Sequence, residues 1–293
     1  MPQIPANLLL VGCAAIWGFA FLFQKSAMAH VEPMLFVAAR SFLAAVVLAP
    51  LAVIEHRRAG AMEWDARAFT HLALWAGVVF AAAAITQQRG IVTATVTNSA
   101  FLTALYVVVT PVLAWLLLDQ RQGPAIWLAV ALSFVGAWLL GGGGMVTAFG
   151  AGEAMVLVSV LFWSAHVIVL GWAAPYGRPV LLTALQFAIA GVLALAGAAA
   201  FETIDLAGLG RAWIDVAFVG ILSSALTFTL FAAALRRTSA AGATIIASTE
   251  ALFAALAAHL LLGERLSAIG VAGGAMILAA AVLVPLTLAR RPA

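Results

Sequence analysis

The side chains with most to offer a solute recur at helical spacing inside long apolar runs. Trp17, Phe21 and Gln24 share one helical face. Trp163, Val167 and Leu170 share another, with His166 at its edge. Thr95, Asn98, Leu102 and Tyr106 form a third stripe, and Ser224, Thr227, Phe228 and Phe231 a fourth. Ser248 and Thr249 precede a face that continues to Leu252. Aromatic walls carrying a few hydrogen-bonding groups describe a cavity for an amphipathic small molecule. The chemistry is recognition, not bond making. The chain has no His-Glu-x-x-His motif, no Cys/His metal cluster and no Gly-x-x-x-x-Gly-Lys loop. The run Gly141-Gly142-Gly143-Gly144 lacks the following Lys-Ser/Thr of a nucleotide site. No metal, no other cofactor and no enzymatic activity are expected. The competing reading is ordinary packing, since Ser, Thr and Asn pair between membrane helices and Trp collects at the interface.

Charge inside the apolar runs is the second clue. Glu250 lies about ten residues into its run, near the bilayer midplane, where an ionised carboxylate is expensive without a partner or water. Its helical face, with Ile246, Phe253 and Ala257, differs from that of Ser248. It reads as a structural pair or a proton site behind the cavity. Arg40 lies roughly 10 Å of helix inside the outer end of its run. Lys25 is close enough to an end to snorkel outward. His71 and His259 lie near run ends and carry no site expectation.

These residues need elements that lipid can surround. Apolar residues make up 66% of the 293 and charged ones 9%, with mean hydropathy +1.15; soluble domains carry roughly 25% charged residues. Spanning segments must be helices or closed barrels, because unpaired backbone groups are costly in hydrocarbon. Continuous apolar runs of about 20 residues, instead of alternation over about ten, select helices. Ten spans are expected, at 7–28, 33–54, 68–88, 94–118, 124–141, 152–172, 179–200, 212–235, 241–262 and 267–288. Short breaks separate them, among them Gln87 to Gly90, and the longest polar break is Glu55 to Arg67. No loop is long enough for a separate soluble domain. The first run lacks a basic leader and is expected to remain as a span. Cys13, the single cysteine, lies inside that run with packing as its expected role. No basic tail or Arg-rich stripe points to nucleic acid.

Two further patterns organise the chain. Arg57, Arg58, Arg67, Arg121, Arg178, Arg236, Arg237, Arg290 and Arg291 share one side of a ten-span arrangement. Lys25, Arg89, Arg211 and Arg265 fall on the other. That bias places both termini in the cytoplasm. A shift of 146 residues lays Trp17 on Trp163, Pro33 on Pro179 and Arg40 on Gln186. A shift of 144 lays Leu116-Leu117-Leu118 on Leu260-Leu261-Leu262 and Arg121 on Arg265. Two five-helix halves, 1–143 and 144–293, are expected on either side of the glycine run. A repeat of five spans must insert its second copy inverted, an arrangement found in secondary transporters with sites near the midplane between repeats. The fold class expected is an all-α membrane protein of ten transmembrane helices as two inverted five-helix repeats.

Several strings in this order resemble a known family. They are Ala15-Ile16-Trp17-Gly18 with Lys25, and Arg40-Ser41-Phe42-Leu43 after Pro33. Further on come Asn98-Ser99-Ala100-Phe101-Leu102-Thr103-Ala104-Leu105-Tyr106, Thr110-Pro111, and Leu262-Gly263-Glu264-Arg265-Leu266-Ser267. Over nearly its whole length the chain resembles the EamA-type branch of the drug/metabolite transporter superfamily, and within it the YddG-like amino-acid exporters. It departs from the family pattern in ending the fourth span with Asp119-Gln120-Arg121 and in placing Ala251 after Glu250. The resemblance implies ten helices, cytoplasmic termini, a bacterial-type inner-membrane location and alternating access. It implies a pathway lined by helices 1, 3, 4, 6, 8 and 9, and export of amino acids, aromatic or other apolar ones included, and of related metabolites. A lipid-linked sugar flippase of the same superfamily is the alternative. The partners expected are a small-molecule substrate and the lipid bilayer; monomer and weak oligomer both stay open. The expected binding set is Trp17, Phe21, Gln24, Thr95, Asn98, Trp163, His166, Ser224, Thr227, Phe228, Ser248 and Thr249, with Glu250 and Arg40 as buried or coupling charges.

The orientation is open to direct test. In a Cys13-free background, a cysteine at position 60 should resist membrane-impermeant reagents in intact cells and react in inverted vesicles. Labelling from outside the cell would overturn it.

Overall fold

The computed structural model describes residues 3–58, 65–140, 150–262 and 267–288. Among these every regular element is helical. The order is α1 (Gln3–Ala27), α2 (Pro33–Arg58), α3 (Ala66–Ile91), α4 (Val96–Ala104), α5 (Tyr106–Leu118), α6 (Pro124–Leu140) and α7 (Ala151–Ala173). Then come α8 (Pro179–Phe201), α9 (Leu206–Arg211), α10 (Trp213–Ala217), a π-helical stretch (Phe218–Leu226), α11 (Thr227–Ala234), α12 (Ala240–Ala247), α13 (Glu250–Leu262) and α14 (Ala268–Leu288). Joined across their interruptions, eight segments are long and apolar enough to cross a membrane, and Pro124–Leu140 and Ala268–Val284 are shorter apolar helices. At 1.5 Å per residue the 17 residues of α6 reach about 25 Å, short of a hydrocarbon core of about 30 Å. The glycine run 141–144, the tip of the Glu55–Arg67 break and the Gly263-Glu264-Arg265-Leu266 string lie outside the described residues.

Three spans expected to be continuous are interrupted. The fourth is broken at Leu105, where the amides of Leu105 and Val108 reach back only three residues, to Leu102 and Leu105. The ninth is broken at Ser248–Thr249, again with three-residue bonds, Thr249 to Ile246 and Ala251 to Ser248. The two tight turns stand 144 positions apart. The eighth carries the wide turns of Phe218–Leu226, whose exit is marked by the Thr227 amide bonding Leu222 five residues back. One expected break is absent: α3 runs through Gln87–Gly90 to Ile91. The two glutamine side chains find partners inside the protein. Gln87 Nε2 donates to Thr103 Oγ1 (2.8 Å) and Gln88 Nε2 to the Gln24 carbonyl (3.0 Å).

Helix ends are satisfied by charged side chains from neighbouring helices. Glu55, near the end of α2, accepts from the amides of Val180 (3.2 Å) and Leu181 (2.8 Å) at the start of α8. Glu202, just past the end of α8, accepts from Met34 (2.9 Å) and Leu35 (3.0 Å) at the start of α2. Each helix caps the other, so the two lie side by side and antiparallel. A carboxylate at a helix N-terminus meets both the free amides and the positive end of the dipole. At the last turn of α3, Lys25 Nζ donates to the carbonyls of Ile91, Val92 and Ala94 at 2.9–3.0 Å. Lys25 thus closes the end of α3.

Close approach supplies the rest. A Cβ on Gly136 would lie 2.6 Å from the Gly273 carbonyl, so α6 and α14 meet backbone to backbone. A Cβ on Gly18 would lie 2.5 Å from the Phe253 Cβ, and this absence presses α1 onto α13. Small residues at such crossings maximise packing where lipid offers no hydrophobic drive between helices. Phe201, Trp213 and Leu116 are among the large apolar side chains left outward.

Replacing Glu55 or Glu202 by Ala should each cost on the order of 1 kcal/mol of stability, the usual worth of a helix cap. The sites lie at opposite ends of the pair, so their effects should add. Thermal unfolding in detergent reads this directly. Unchanged midpoints in both variants would show that the caps carry no net stability.

Candidate substrate site

A central cavity with about 600 Å³ of empty space, part of it open to the exterior, is lined by residues of the first, third, fourth, sixth, eighth and ninth spans and of α2. Trp17, Phe21 and Gln24 enter from α1, Arg40 from α2, Gln87 from α3 and Thr103 from α4. Tyr106 comes from α5, Trp163, His166 and Val167 from α7, Phe231 and Phe228 from α11, Ser223 from the π-helical stretch and Glu250 from α13.

The walls are aromatic. Trp17 packs on Phe228 and Phe231 with ring centroids 5.1 and 5.5 Å apart, and Trp163 stacks on Phe228 at 5.9 Å and 28°. Behind them Phe80 is a hub, edge-on to Trp163, His166, Phe187 and Phe228 at 4.7–5.6 Å. Such tilted contacts add about 0.5–1.5 kcal/mol each beyond area burial and hold the rings in place. Trp17 Nε1 donates to the Ser223 carbonyl at 3.0 Å, a group of the π-helical stretch that also accepts from Thr227 Oγ1. His166 Nε2 meets Gln186 Oε1 at 2.9 Å, which ties α7 to α8 behind the wall.

The polar atoms facing this space are unevenly satisfied. Tyr106 and Glu250, the first residues of α5 and α13 after the two tight turns, both line this space. Glu250 is 4% exposed and its Oε1 has no partner among the described residues. Gln24 Oε1, Trp163 Nε1, and Nε and Nη2 of Arg40 are likewise unpartnered there. Buried polar groups are paired in the great majority of cases; these five atoms belong to residues that line the cavity, while other unpartnered atoms, among them Ser99 Oγ, Thr110 Oγ1 and Ser164 Oγ, lie away from it. Arg40 is 3% exposed, with its guanidinium carbon 5.9 Å from the Phe36 ring centroid and 5.7 Å from that of Phe80. Desolvated cation–π contacts supply about 2 kcal/mol, less than the several kcal/mol lost by burying an ion.

Of the residues expected from sequence, Trp17, Phe21, Gln24, Trp163, His166, Phe228, Arg40 and Glu250 line the cavity. Thr95, Asn98, Ser224, Thr227, Ser248 and Thr249 do not. Thr95 caps α4, accepting from the Asn98 amide, and Asn98 Nδ2 lies 3.5 Å from Glu153 Oε1. The hydroxyls of Thr227, Ser248 and Thr249 turn back to the carbonyls of Ser223, Ile245 and Ile246. Ser224 is fully buried away from the cavity.

The reason is helical phase. A stripe drawn at 100° per residue assumes an unbroken helix, and each of these stripes crosses an irregular turn. In the eighth span the wide turns bring Ser223, five residues before Phe228, onto the cavity in place of Ser224. In the ninth the tight turn at Ser248–Thr249 rotates Glu250 forward. The carboxyl expected behind the cavity therefore lines it. Gln87 carries no site expectation because it falls at the edge of the third span, 68–88, where a break is expected, and Thr103 carries none because it lies off the Asn98–Tyr106 stripe.

Comparison with known proteins bears on the family and the fold. The EamA-like transporter family matches residues 4–142 and 150–286. An uncharacterized transporter of Archaeoglobus fulgidus is 27% identical, the alignment covering 97% of this chain and 87% of the relative. A solved crystal structure superposes with TM-score 0.78 over 98% of both chains at 15% identity, a likeness of fold. The family match over nearly all of the sequence establishes that this chain belongs to the EamA-like transporter family of the drug/metabolite transporter superfamily.

Proposed function

We propose that the protein is a secondary transporter that exports amino acids, apolar or aromatic ones among them, and related small metabolites by alternating access. In this reading ten spans form two inverted halves, 1–143 and 144–293, in a bacterial inner membrane with both termini cytoplasmic. The observation that carries it is the central cavity, where Trp17 and Trp163, 146 positions apart, both contribute to an aromatic wall around unsatisfied polar groups. Aromatic faces suit apolar side chains, and the polar atoms suit a charged or hydrogen-bonding head. Transporter sites lie at the interface of repeats, and interrupted helices line them. Here the fourth, eighth and ninth spans, each interrupted, all reach the cavity.

Counterflow in proteoliposomes with labelled amino acids tests the substrate class. Movement of a lipid-linked sugar with failure of every amino acid would replace this reading with a flippase. Trp17→Ala or Trp163→Ala should weaken solute affinity about tenfold, a loss of about 1.4 kcal/mol. Asn98→Ala, which removes a contact to Glu153 outside the cavity, should leave it nearly unchanged. Full affinity in both tryptophan variants would place the site elsewhere.

Arg40, Tyr106, His166 and Glu250 are the titratable groups that line the cavity. Proton linkage through the carboxyl predicts that Glu250→Gln flattens the pH dependence of transport, measured between pH 5 and 9. An unaltered profile in a folded variant would leave Glu250 a structural polar group with no part in coupling.

A further inference from the structure

The guanidinium of Arg40 presents an unusual demand. It is buried, arginine does not shed its charge inside proteins, and no carboxylate lies within 4 Å of it among the described residues. Its ring contacts, Phe36 and Phe80, offer no hydrogen-bond acceptor in the plane of the group. The two nitrogens left without partners are Nε and Nη2. Their N–H bonds lie on one side of the planar group and point the same way. Together they form the fork that grips both oxygens of a carboxylate. Lining the same cavity from a different helix is a carboxyl, that of Glu250, whose Oε1 is buried without a partner among the described residues; Tyr106 lines the same space. The rings of Trp17, Trp163 and Phe228 make up the aromatic wall of the same space.

We infer that the cavity is a two-pole site for α-amino-acid zwitterions, with the substrate carboxylate on the Nε–Nη2 fork of Arg40 and its ammonium on Glu250. This rests on the reading of the cavity as the solute site and deepens it by naming what each pole takes. A zwitterion supplies both counter-charges at once and leaves neither buried ion exposed to hydrocarbon. An analogue missing one of its charges strands the opposite pole, and sites built on hydrogen bonds reject such analogues strongly. The apolar rings take the side chain and discriminate it weakly, because a methylene changes affinity much less than an unpaired charge does.

Leucine and three relatives separate the poles: leucinamide lacks the carboxylate, 4-methyl-2-oxopentanoate lacks the ammonium, and isopentylamine lacks the carboxylate and its carbonyl altogether. Binding to the full-length protein in nanodiscs is measured by titration calorimetry. The wild type should bind leucine at least tenfold tighter than each relative. Arg40→Gln should bring leucine and leucinamide within about twofold of one another while preserving the preference for leucine over the oxo acid. Glu250→Gln should do the converse. Arg40→Lys keeps the charge without the fork and should reduce the leucine preference only in part. It also serves as the reading if Arg40→Gln does not fold. Retention of the full leucine-to-leucinamide ratio in the folded arginine variants overturns the inference, even if leucine is transported. If the oxo acid binds in an Arg40-dependent manner and no amino acid does, the carboxylate pole stands, while the ammonium pole and the amino-acid reading fall. Failure of the wild type to bind any carboxylate overturns both.

Discussion

Hydrocarbon offers no hydrogen bonds, and this constraint orders the molecule. Within a helix the backbone satisfies itself, so the difficulty concentrates at helix ends and at every departure from regular winding. The ends are met by long charged side chains reaching across: Glu55 and Glu202 close the starts of each other's helices, and Lys25 closes the last turn of α3. These residues do for the backbone what water does in a soluble protein. They also set the relative position of α2 and α8, and α2 carries Arg40 while α8 carries Gln186, the partner of His166.

The departures from regular winding obey the same constraint in another way. The tight turns at Leu105 and Ser248–Thr249 and the wide turns at Phe218–Leu226 leave carbonyls in unusual places, and all three segments reach the central cavity. Irregular backbone is tolerated at membrane depth where protein or a cavity takes up the freed groups. The Ser223 carbonyl, within the wide turns, accepts from both the Trp17 indole and the Thr227 hydroxyl. A site for a polar solute and a set of locally weakened helices therefore arise together. Bending is cheapest where the ladder is already interrupted, so the elements around the cavity are also those best able to change shape.

How far the site was legible follows from helical phase. Trp17, Phe21 and Gln24 sit on α1, which is continuous, and a face drawn by simple periodicity there coincides with the cavity wall. The same holds for Trp163 on α7. On the interrupted spans periodicity misleads: Ser223 replaces Ser224, Glu250 comes forward, and Asn98 turns to Glu153. Gln87 and Gln88 read as the end of a span because glutamine is costly in lipid. Their partners, Thr103 and the Gln24 carbonyl, are contacts no local window contains.

Composition and run length by themselves determined that the chain is a helical membrane protein, since 66% apolar residues in runs of about 20 leave no other way to satisfy the backbone in lipid. The ordered strings of α1, α2, α4 and α5, together with Leu262-Gly263-Glu264-Arg265-Leu266-Ser267, carry the resemblance to the family whose model matches the chain. Only the tertiary structure decided which polar groups face one another. Whether Arg40 meets a counter-charge and which serine fronts the cavity depend on the rotation of each helix. Single turns wound by three or five residues set that rotation, and close packing at residues such as Gly18 holds it. A one-residue change in winding turns a side chain by about 100°, yet leaves hydropathy unaltered. That is why the class was written in the composition and the site in the packing.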